Sequence, residues 1–518
     1  MSKLGTILPL LQPFPFPKTL VFCTGAVAVL AFAPFSLSWV ALLSLALLFG
    51  LWQSATPGQA FKLGWWFGLG FMGFGVSWLH ISIDQFGGIG LPLAIIITLL
   101  FVATIALFFG AAGWLGRKLH GSSRAANLLI TLPAVWALTE WVRGWFLTGF
   151  PWLSMGYSQL DNPLQGVAPI AGIFGVSWLV ALTAALMTLI CSQLTSAPAL
   201  RSKAIFKPLL GISAITMIWL AAHLLDGHSW TAPAGDPIKV TLIQGNIPQE
   251  LKWEPSQFGS TMRLYTSLTR ANWDSDLIIW PETAIPAFYH RVKDDLLDPL
   301  AAEAQSHGTD LLVGIALQGT EDKSYFNAMI SLGQERDSYR KRHLVPFGEF
   351  LPLKWLLSPL IDFLRIPMSD FSAGDDSKTV LNLAGYPAGI SICYEDAFGE
   401  EIIQALPEAA FLVNASNDAW FGDSLAPHQH LEIARMRALE SGRFLLRATN
   451  TGISAIIGPK GEIQGLSAAF EKAVLTREIT PMQGMTPYAS IGNWGIVSAL
   501  LILLLLSLFI SHSRQADR

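Results

Sequence analysis

The stretch AGISICYED (388–396) decides the fold of the polar part of this chain. Small and apolar residues run from Ala388 to Ile392, stop at Cys393, and give way to Glu395 and Asp396. A short apolar run with so abrupt a polar end reads as a buried strand whose C-terminal end faces a cleft. Segments of the same kind surround it: IKVTLIQ (238–244), DLIIW (276–280), DLLVGIAL (310–317), NAMISL (327–332) and AAFLVNAS (409–416). SQFGSTMRLYTSLTRA (256–271) and HLEIARMRALESG (430–442) carry a helical pattern, and GPKG (458–461) is a hairpin turn between ISAII and EIQGL. Strand and helix signals in alternation predict an α/β domain over 225–488.

On either side of that domain the composition changes. Charged residues are 14% of the 518-residue chain, against roughly 25% in soluble domains. Apolar runs near 19–34, 37–52, 61–79, 91–115, 126–143, 167–193, 207–224 and 491–510 predict a transmembrane helical bundle of about eight spans. Seven of them fall in a bundle over 1–224, and the last in a C-terminal helix and tail over 489–518. AFA (31–33) resembles a signal-peptide cleavage site, but apolar sequence resumes after Pro34, so the first run is expected to be a retained anchor. With both termini cytoplasmic, the inside segments hold Lys3, Lys18, Lys62, Arg117, Lys118, Arg124, Arg201, Lys203, Lys207, Arg514 and Arg518. The short outside loops hold little beyond Arg143, as the positive-inside rule requires. The α/β domain is then extracytoplasmic. A net charge of −4 with no long basic stretch argues against a nucleic-acid partner. Three cysteines, two of them inside apolar runs, argue against a disulfide framework.

Three polar residues stand at predicted strand ends: Glu282 after LIIWP, Lys341 in YRKRHLVPFGEF, and Cys393. A thiol with a pKa near 8.5 is only a few per cent thiolate at neutral pH, so a nucleophilic cysteine needs a base to take its proton. A lysine ammonium, with the main-chain N–H of Tyr394 after the cysteine, would stabilise an oxyanion, each donor contributing on the order of 3–4 kcal/mol. Each residue also has a plain reading. Cys393 could be a small buried apolar residue, Glu282 a helix N-terminal carboxylate, and Lys341, between Arg340 and Arg342, part of a solvated basic face.

WPETA, KRHLVPFGEF and ISICYED, in this order, resemble the Glu–Lys–Cys signature of the nitrilase superfamily. That superfamily acts on carbon–nitrogen bonds, or transfers acyl groups, through a cysteine thioester in an α-β-β-α sandwich. Together with the predicted spans, LIQGNIPQELKW (242–253), HLVPFGE (343–349) and NASNDAWFG (414–422) narrow the likeness to the apolipoprotein N-acyltransferase family of bacterial inner membranes. The resemblance implies Glu282 as general base, Lys341 as oxyanion stabiliser, Cys393 as nucleophile and Glu349 as a supporting carboxylate. Tyr394 and Glu395 would shape the pocket. Trp253, Trp420 and Phe421 match aromatic positions near the site, with core packing as the alternative.

The implied substrates are a phospholipid acyl donor, typically phosphatidylethanolamine, and the free amine of a diacylglyceryl-cysteine apolipoprotein. The rivals are a membrane-tethered amidase and a non-enzymatic transporter or scaffold. No cofactor and no metal is implied. His428 and His430 read as helix-capping or surface polarity rather than as ligands. The apolar segment 350–367 reads as an interfacial arm or a core helix, and 144–157 as an aromatic belt or a lateral gate. Glu140 and Arg143, three apart on one helix, could pair near the outer headgroups.

Overall fold

In the computed structural model the structure describes residues 17–119, 123–196, 202–319, 324–351, 355, 371–375 and 377–516. The apolar segment 350–367 lies outside the described residues apart from Phe350, Leu351 and Trp355. The chain divides into two compact units: 1–77, 95–228 and 493–518 form one, and 78–94 with 229–492 the other.

The first unit is helical. A helix occupies each of the eight apolar runs, but five are long and apolar enough to cross a membrane: Leu91–Lys118, Arg124–Arg143, Pro163–Thr195, Phe206–Asp226 and Asn493–Ile510. Pro57–Gly75 taken together with Leu79–Gln85 makes a sixth. The expected eight therefore reduce to five or six candidates among the described residues. Pro17–Ala28 and Trp39–Ser54 have 12 and 16 residues, short of the roughly 20 that span the hydrocarbon core. A break at 32–38, around Pro34, separates these two helices, and Pro57 opens the next one under a Thr56–Gln59 capping box.

Helices Pro17–Ala28 and Pro57–Gly75 pack against each other through glycine. A Cβ at Gly70 would run into the Phe22 carbonyl, and one at Gly25 into the Phe67 carbonyl. Backbones approach this closely in bilayers because van der Waals packing, not the hydrophobic effect, holds the helices together. Glu140 and Arg143 are both buried and each turns to the chain that follows. Arg143 donates to the carbonyls of Phe150 and Trp152, and Glu140 accepts from Trp136 Nε1 at 2.8 Å and from the Met155 N–H at 3.0 Å. They thereby fold the 144–157 segment back onto its helix.

The second unit contains two large sheets, besides a two-stranded pairing of Ala232–Pro233 with Met482–Gln483. In chain order the strands are β1 (Ile238–Gln244), β2 (Leu277–Ile279), β3 (Ile285–Phe288), β4 (Asp310–Gln318), β5 (Tyr325–Leu332), β6 (Ser338–Arg340), β7 (Val380–Leu383), β8 (Tyr386–Ile392), β9 (Phe411–Ser416), β10 (Leu445–Thr449), β11 (Ala455–Ile457), β12 (Ile463–Leu466) and β13 (Ala473–Ile479). One sheet runs β13-β1-β2-β4-β5-β6 with β3 beside β4, and the other β12-β11-β10-β9-β8-β7. The pairs β1–β2, β2–β4, β8–β9 and β9–β10 are parallel.

Side-chain alternation sorts these strands into layers. Val240, Leu242, Ile279 and Leu312 face Ile390, Ile392, Val413 and Leu446 in one core between the sheets. On the outer face of the first sheet, Ile243, Ile278 and Val313 meet Tyr265 and Leu300 from helices Pro255–Arg270 and Asp298–His307. On the outer face of the second, Leu412 and Leu445 meet Leu431 and Ala438 from helix Ala426–Ser441. The result is the expected α-β-β-α sandwich.

Candidate active site

Cys393 is the first residue after β8, half-buried, with φ of +53°. Left-handed backbone is uncommon outside glycine and gathers at functional sites. Here it turns the chain out of the strand into a tight turn over Cys393–Ala397. A buried polar cluster holds that turn from below. The Cys393 carbonyl accepts from Asn414 Nδ2 at 3.2 Å and lies 3.3 Å from His430 Nε2. His430 reaches Asp396 through Nε2 and Asp418 through Nδ1, each at 2.8 Å. Arg447 donates to both carboxylates and, at 2.6 Å, to Asn414 Oδ1.

His430 is therefore not surface polarity, as expected from its HQH context, but fully internal. It does lie in the first turns of helix Ala426–Ser441. Burial and Arg447 oppose its proton, yet Asp396 and Asp418 outweigh them and raise its pKa to about 9. Burial pushes the Asp418 carboxyl up, and Arg447 and His430 bring it well below the usual range. Among the described residues no group of three or more His, Cys, Asp or Glu side chains is arranged to hold a metal.

Glu282, Lys341 and Glu349 come from the other sheet. Glu282 lies just beyond β2, and Lys341 directly follows β6, its N–H donating to the Asn327 carbonyl on β5 at 2.8 Å. That pairing sets the Asn327 and Lys341 side chains beside each other. Lys341 Nζ is 2.8 Å from Glu349 and 3.7 Å from Glu282 Oε1. Asn327 Nδ2 donates to Glu282 Oε1 at 2.6 Å and to Glu349 Oε1 at 3.1 Å. Glu349 Oε2 accepts from the Val345 N–H at 2.8 Å, which closes the turn carrying it.

Burial opposes the charge on Lys341, but Glu349, Glu282 and Cys393 more than compensate and hold its pKa well above the ordinary value. Burial and Glu282 push the Cys393 thiol up, and Lys341 only partly offsets them. The resting thiol thus keeps its proton, and a thiol in that state can act as a nucleophile only with a base beside it. Glu282, Lys341, Glu349 and Cys393 share one site.

Glu395 is 1% exposed. Its Oε2 accepts from Tyr339 Oη at 2.8 Å and the Ile392 N–H at 2.6 Å; its Oε1 accepts from the N–H groups of Arg342 and His343 at 2.6 and 3.1 Å. It ties the segment after Lys341 to the strand end before Cys393. Tyr394 packs edge-on to His343 and Phe398. Trp253 is 51% exposed and Trp420 37%, so neither is a core residue. Trp420 meets Phe86 at 4.7 Å and the half-buried Phe421 meets Trp78 at 4.6 Å, both partners lying in the 78–94 segment.

Sequence reasoning passed over Asn327, Asn414, Arg447 and Lys252. The last is buried, and its Nζ donates to the Glu282 carbonyl at 3.1 Å. Its position inside LIQGNIPQELKW, beside Trp253, was the available signal.

Residues 24–186 match the model of the apolipoprotein N-acyltransferase N-terminal domain, and residues 239–486 that of the carbon-nitrogen hydrolases. An apolipoprotein N-acyltransferase of Methylococcus capsulatus is 50% identical, over 92% of each chain. One of Nitrosomonas europaea is 44% identical, over 94% of this chain and 95% of the relative. The chain belongs to the apolipoprotein N-acyltransferase family. It is accordingly a nitrilase-type enzyme and a multi-pass membrane protein. Among solved structures, Saccharomyces cerevisiae Nit3, a member of branch 10 of the nitrilase superfamily, is similar at 17% identity and a TM-score of 0.37, over 48% of this chain and 93% of that one. Within this apolipoprotein N-acyltransferase family member, Glu282, Lys341, Glu349 and Cys393 all fall in the part that matches the hydrolase model, 239–486.

Proposed function

We propose that the enzyme moves an acyl chain from a phospholipid to the N-terminal α-amine of the diacylglyceryl cysteine of an apolipoprotein, in two half-reactions joined by a thioester on Cys393. The observation that carries this reading is the convergence of Glu282, Lys341 and Cys393 in a chain so similar to apolipoprotein N-acyltransferases.

In the first half-reaction Cys393 Sγ attacks the ester carbonyl while Glu282 takes the thiol proton. Lys341 and the Tyr394 N–H face the developing oxyanion. Collapse breaks the carbon–oxygen bond, and Glu282 returns the proton to the departing lysophospholipid oxygen. In the second, the acceptor amine attacks the thioester, Glu282 takes the ammonium proton, and Cys393 leaves and regains it. Glu349 holds Lys341 in place throughout. Phosphatidylethanolamine fits as donor, since donor and acceptor both reside in a bilayer. Keeping water out protects the thioester from hydrolysis. The distribution of Lys and Arg between spans supports cytoplasmic termini and an extracytoplasmic catalytic domain over 225–488 of a bacterial inner-membrane protein.

Incubation with acyl-labelled phosphatidylethanolamine should leave label on the protein that neutral hydroxylamine releases, and a diacylglyceryl peptide with a free amine should then remove it. Equal labelling of Cys393→Ala would overturn the mechanism. Label that passes to water and never to the amine would identify an amidase instead.

A further inference from the structure

We propose that Lys252 is a positioning residue of the acyl-transfer site: its buried ammonium holds the main chain at Glu282 and supplies a second positive charge that favours the anionic states of Glu282 and Cys393. The inference rests on the reading above, in which Cys393 is the nucleophile.

Lys252 ends the short helix Gln249–Lys252 in the loop after β1. Its side chain turns inward, 3% exposed, while the next residue, Trp253, is 51% exposed. A buried ammonium loses several kcal/mol of solvation and persists only where nearby groups compensate it. Here the compensation is specific. Nζ donates to the Glu282 carbonyl at 3.1 Å, its one hydrogen bond among the described residues, although an ammonium has three N–H groups to give. The charges that act on it are Glu282 and Cys393, the proposed base and nucleophile. Lys341, held by Glu349 at 2.8 Å, meets the Glu282 carboxylate at 3.7 Å, whereas Lys252 meets its main-chain carbonyl. Burial prevails over Glu282 and Cys393 and brings the Lys252 pKa down to about 8, so the ammonium is present at neutral pH.

The loop that carries Lys252 is fixed to the strand ends beside Cys393. Asn417, after β9, donates to Gln249 Oε1 at 2.7 Å. Asn450, after β10, accepts from the Ile247 N–H at 3.0 Å and donates to its carbonyl at 2.8 Å. The backbone just before Lys252 is therefore tied to strand ends of the second sheet.

Charge balance gives the lysine its purpose. Two carboxylates, Glu282 and Glu349, flank the single ammonium of Lys341, which Glu349 already engages at 2.8 Å. Lys252 brings a second ammonium to Glu282 and Cys393. When the thiol proton passes to Glu282 and an oxyanion forms, the two ammonium groups still match two anions. Without Lys252 that intermediate would hold an uncompensated charge in a buried site, where electrostatic interactions are strongest.

The test uses the full-length protein in lipid–detergent micelles, with Lys252→Met and Lys252→Arg. Iodoacetamide modification of the Cys393 peptide, followed by mass spectrometry across pH 7–9, reads the thiol without any acyl donor. Loss of the charge should raise the thiol pKa, and each unit slows modification about tenfold at a pH below it. Single-turnover acylation from labelled phosphatidylethanolamine should fall at least as far. Lys252→Arg should restore most of both rates and keep acylating above pH 8, because a guanidinium stays charged.

A folded Lys252→Met protein with the wild-type modification profile would overturn the proposal. If that variant does not fold, wild-type and Lys252→Arg acylation profiles that coincide above pH 8 would overturn it equally. Failure of the underlying reading looks different: the wild type would then acquire no hydroxylamine-labile acyl group at all.

Discussion

Asn327 donates through Nδ2 to Glu282 Oε1 at 2.6 Å, and the same amide reaches Glu349 Oε1 at 3.1 Å. One neutral side chain thus holds two carboxylates around a single ammonium, that of Lys341. Without it the carboxylates would be free to crowd Lys341 or to drift from the cysteine. Asn327→Leu should leave Glu282 short of a buried donor, at a cost of about 1–3 kcal/mol. Chemical denaturation should register that loss, and single-turnover acylation should fall beyond what the stability change explains. An unaltered acylation rate would remove Asn327 from the site.

Glu349 keeps Lys341 charged and aimed. Glu349→Gln preserves the shape but removes the carboxylate charge 2.8 Å from Nζ. Acylation is expected to drop on the order of 10²-fold, the scale seen when an oxyanion donor is lost. The melting temperature should fall as well, because a buried ammonium then loses one of its carboxylate partners. Retention of wild-type acylation would show that Lys341 needs no second carboxylate.

His430 links stability to pH. Its folded pKa is raised to about 9 from an ordinary 6.5 by Asp396 and Asp418, against burial and Arg447. A raised pKa means the stabilisation is complete below about 6.5 and is lost as pH rises through about 9. Thermal stability should therefore fall as pH rises from about 6.5 through about 9 in the wild type, and the slope should flatten in His430→Asn. Parallel slopes would mean that His430 does not carry the proton.

Glu395 accepts from three main-chain N–H groups, those of Ile392, Arg342 and His343. In Glu395→Ala these donors stay buried without a partner, each at about 1–3 kcal/mol. The variant should be strongly destabilised, whereas Glu395→Gln, which keeps an acceptor oxygen, should be less so. Equal melting temperatures for wild type and Glu395→Ala would contradict the bracing role.

In the helical unit, Gly70→Leu would force helix Pro57–Gly75 away from the Phe22 carbonyl. The purified protein should lose thermal stability in detergent by a few kcal/mol, since overpacking a close contact costs about 1–3 kcal/mol. Gly58→Leu, where a side chain meets open space, is the control and should behave as wild type.

Much of this protein is legible locally. AGISICYED and its sister segments place strands and strand ends from periodicity and polarity alone, and β1 coincides with IKVTLIQ. Glu282 and Cys393 come to notice because each sits where an apolar run stops, and Lys341 because KRHLVPFGEF resembles the superfamily's lysine motif. The apolar runs in 17–228 and 493–510 place the helices, although not their lengths, because local breaks at 32–38 and Pro57 decide where a helix ends. What the sequence could not reveal is which residues meet across strands. Asn327 lies 45 positions from Glu282, Lys252 30 from it, and Arg447 51 from Asp396. His430 looks like a surface residue in HQH and is enclosed only because helix Ala426–Ser441 packs over the second sheet. Periodicity reports the neighbours of a residue along its own element, whereas the site depends on strand register and on which sheet faces which. Those are settled by burial of the shared core, so composition and spacing supply the reacting groups and only tertiary packing supplies their partners.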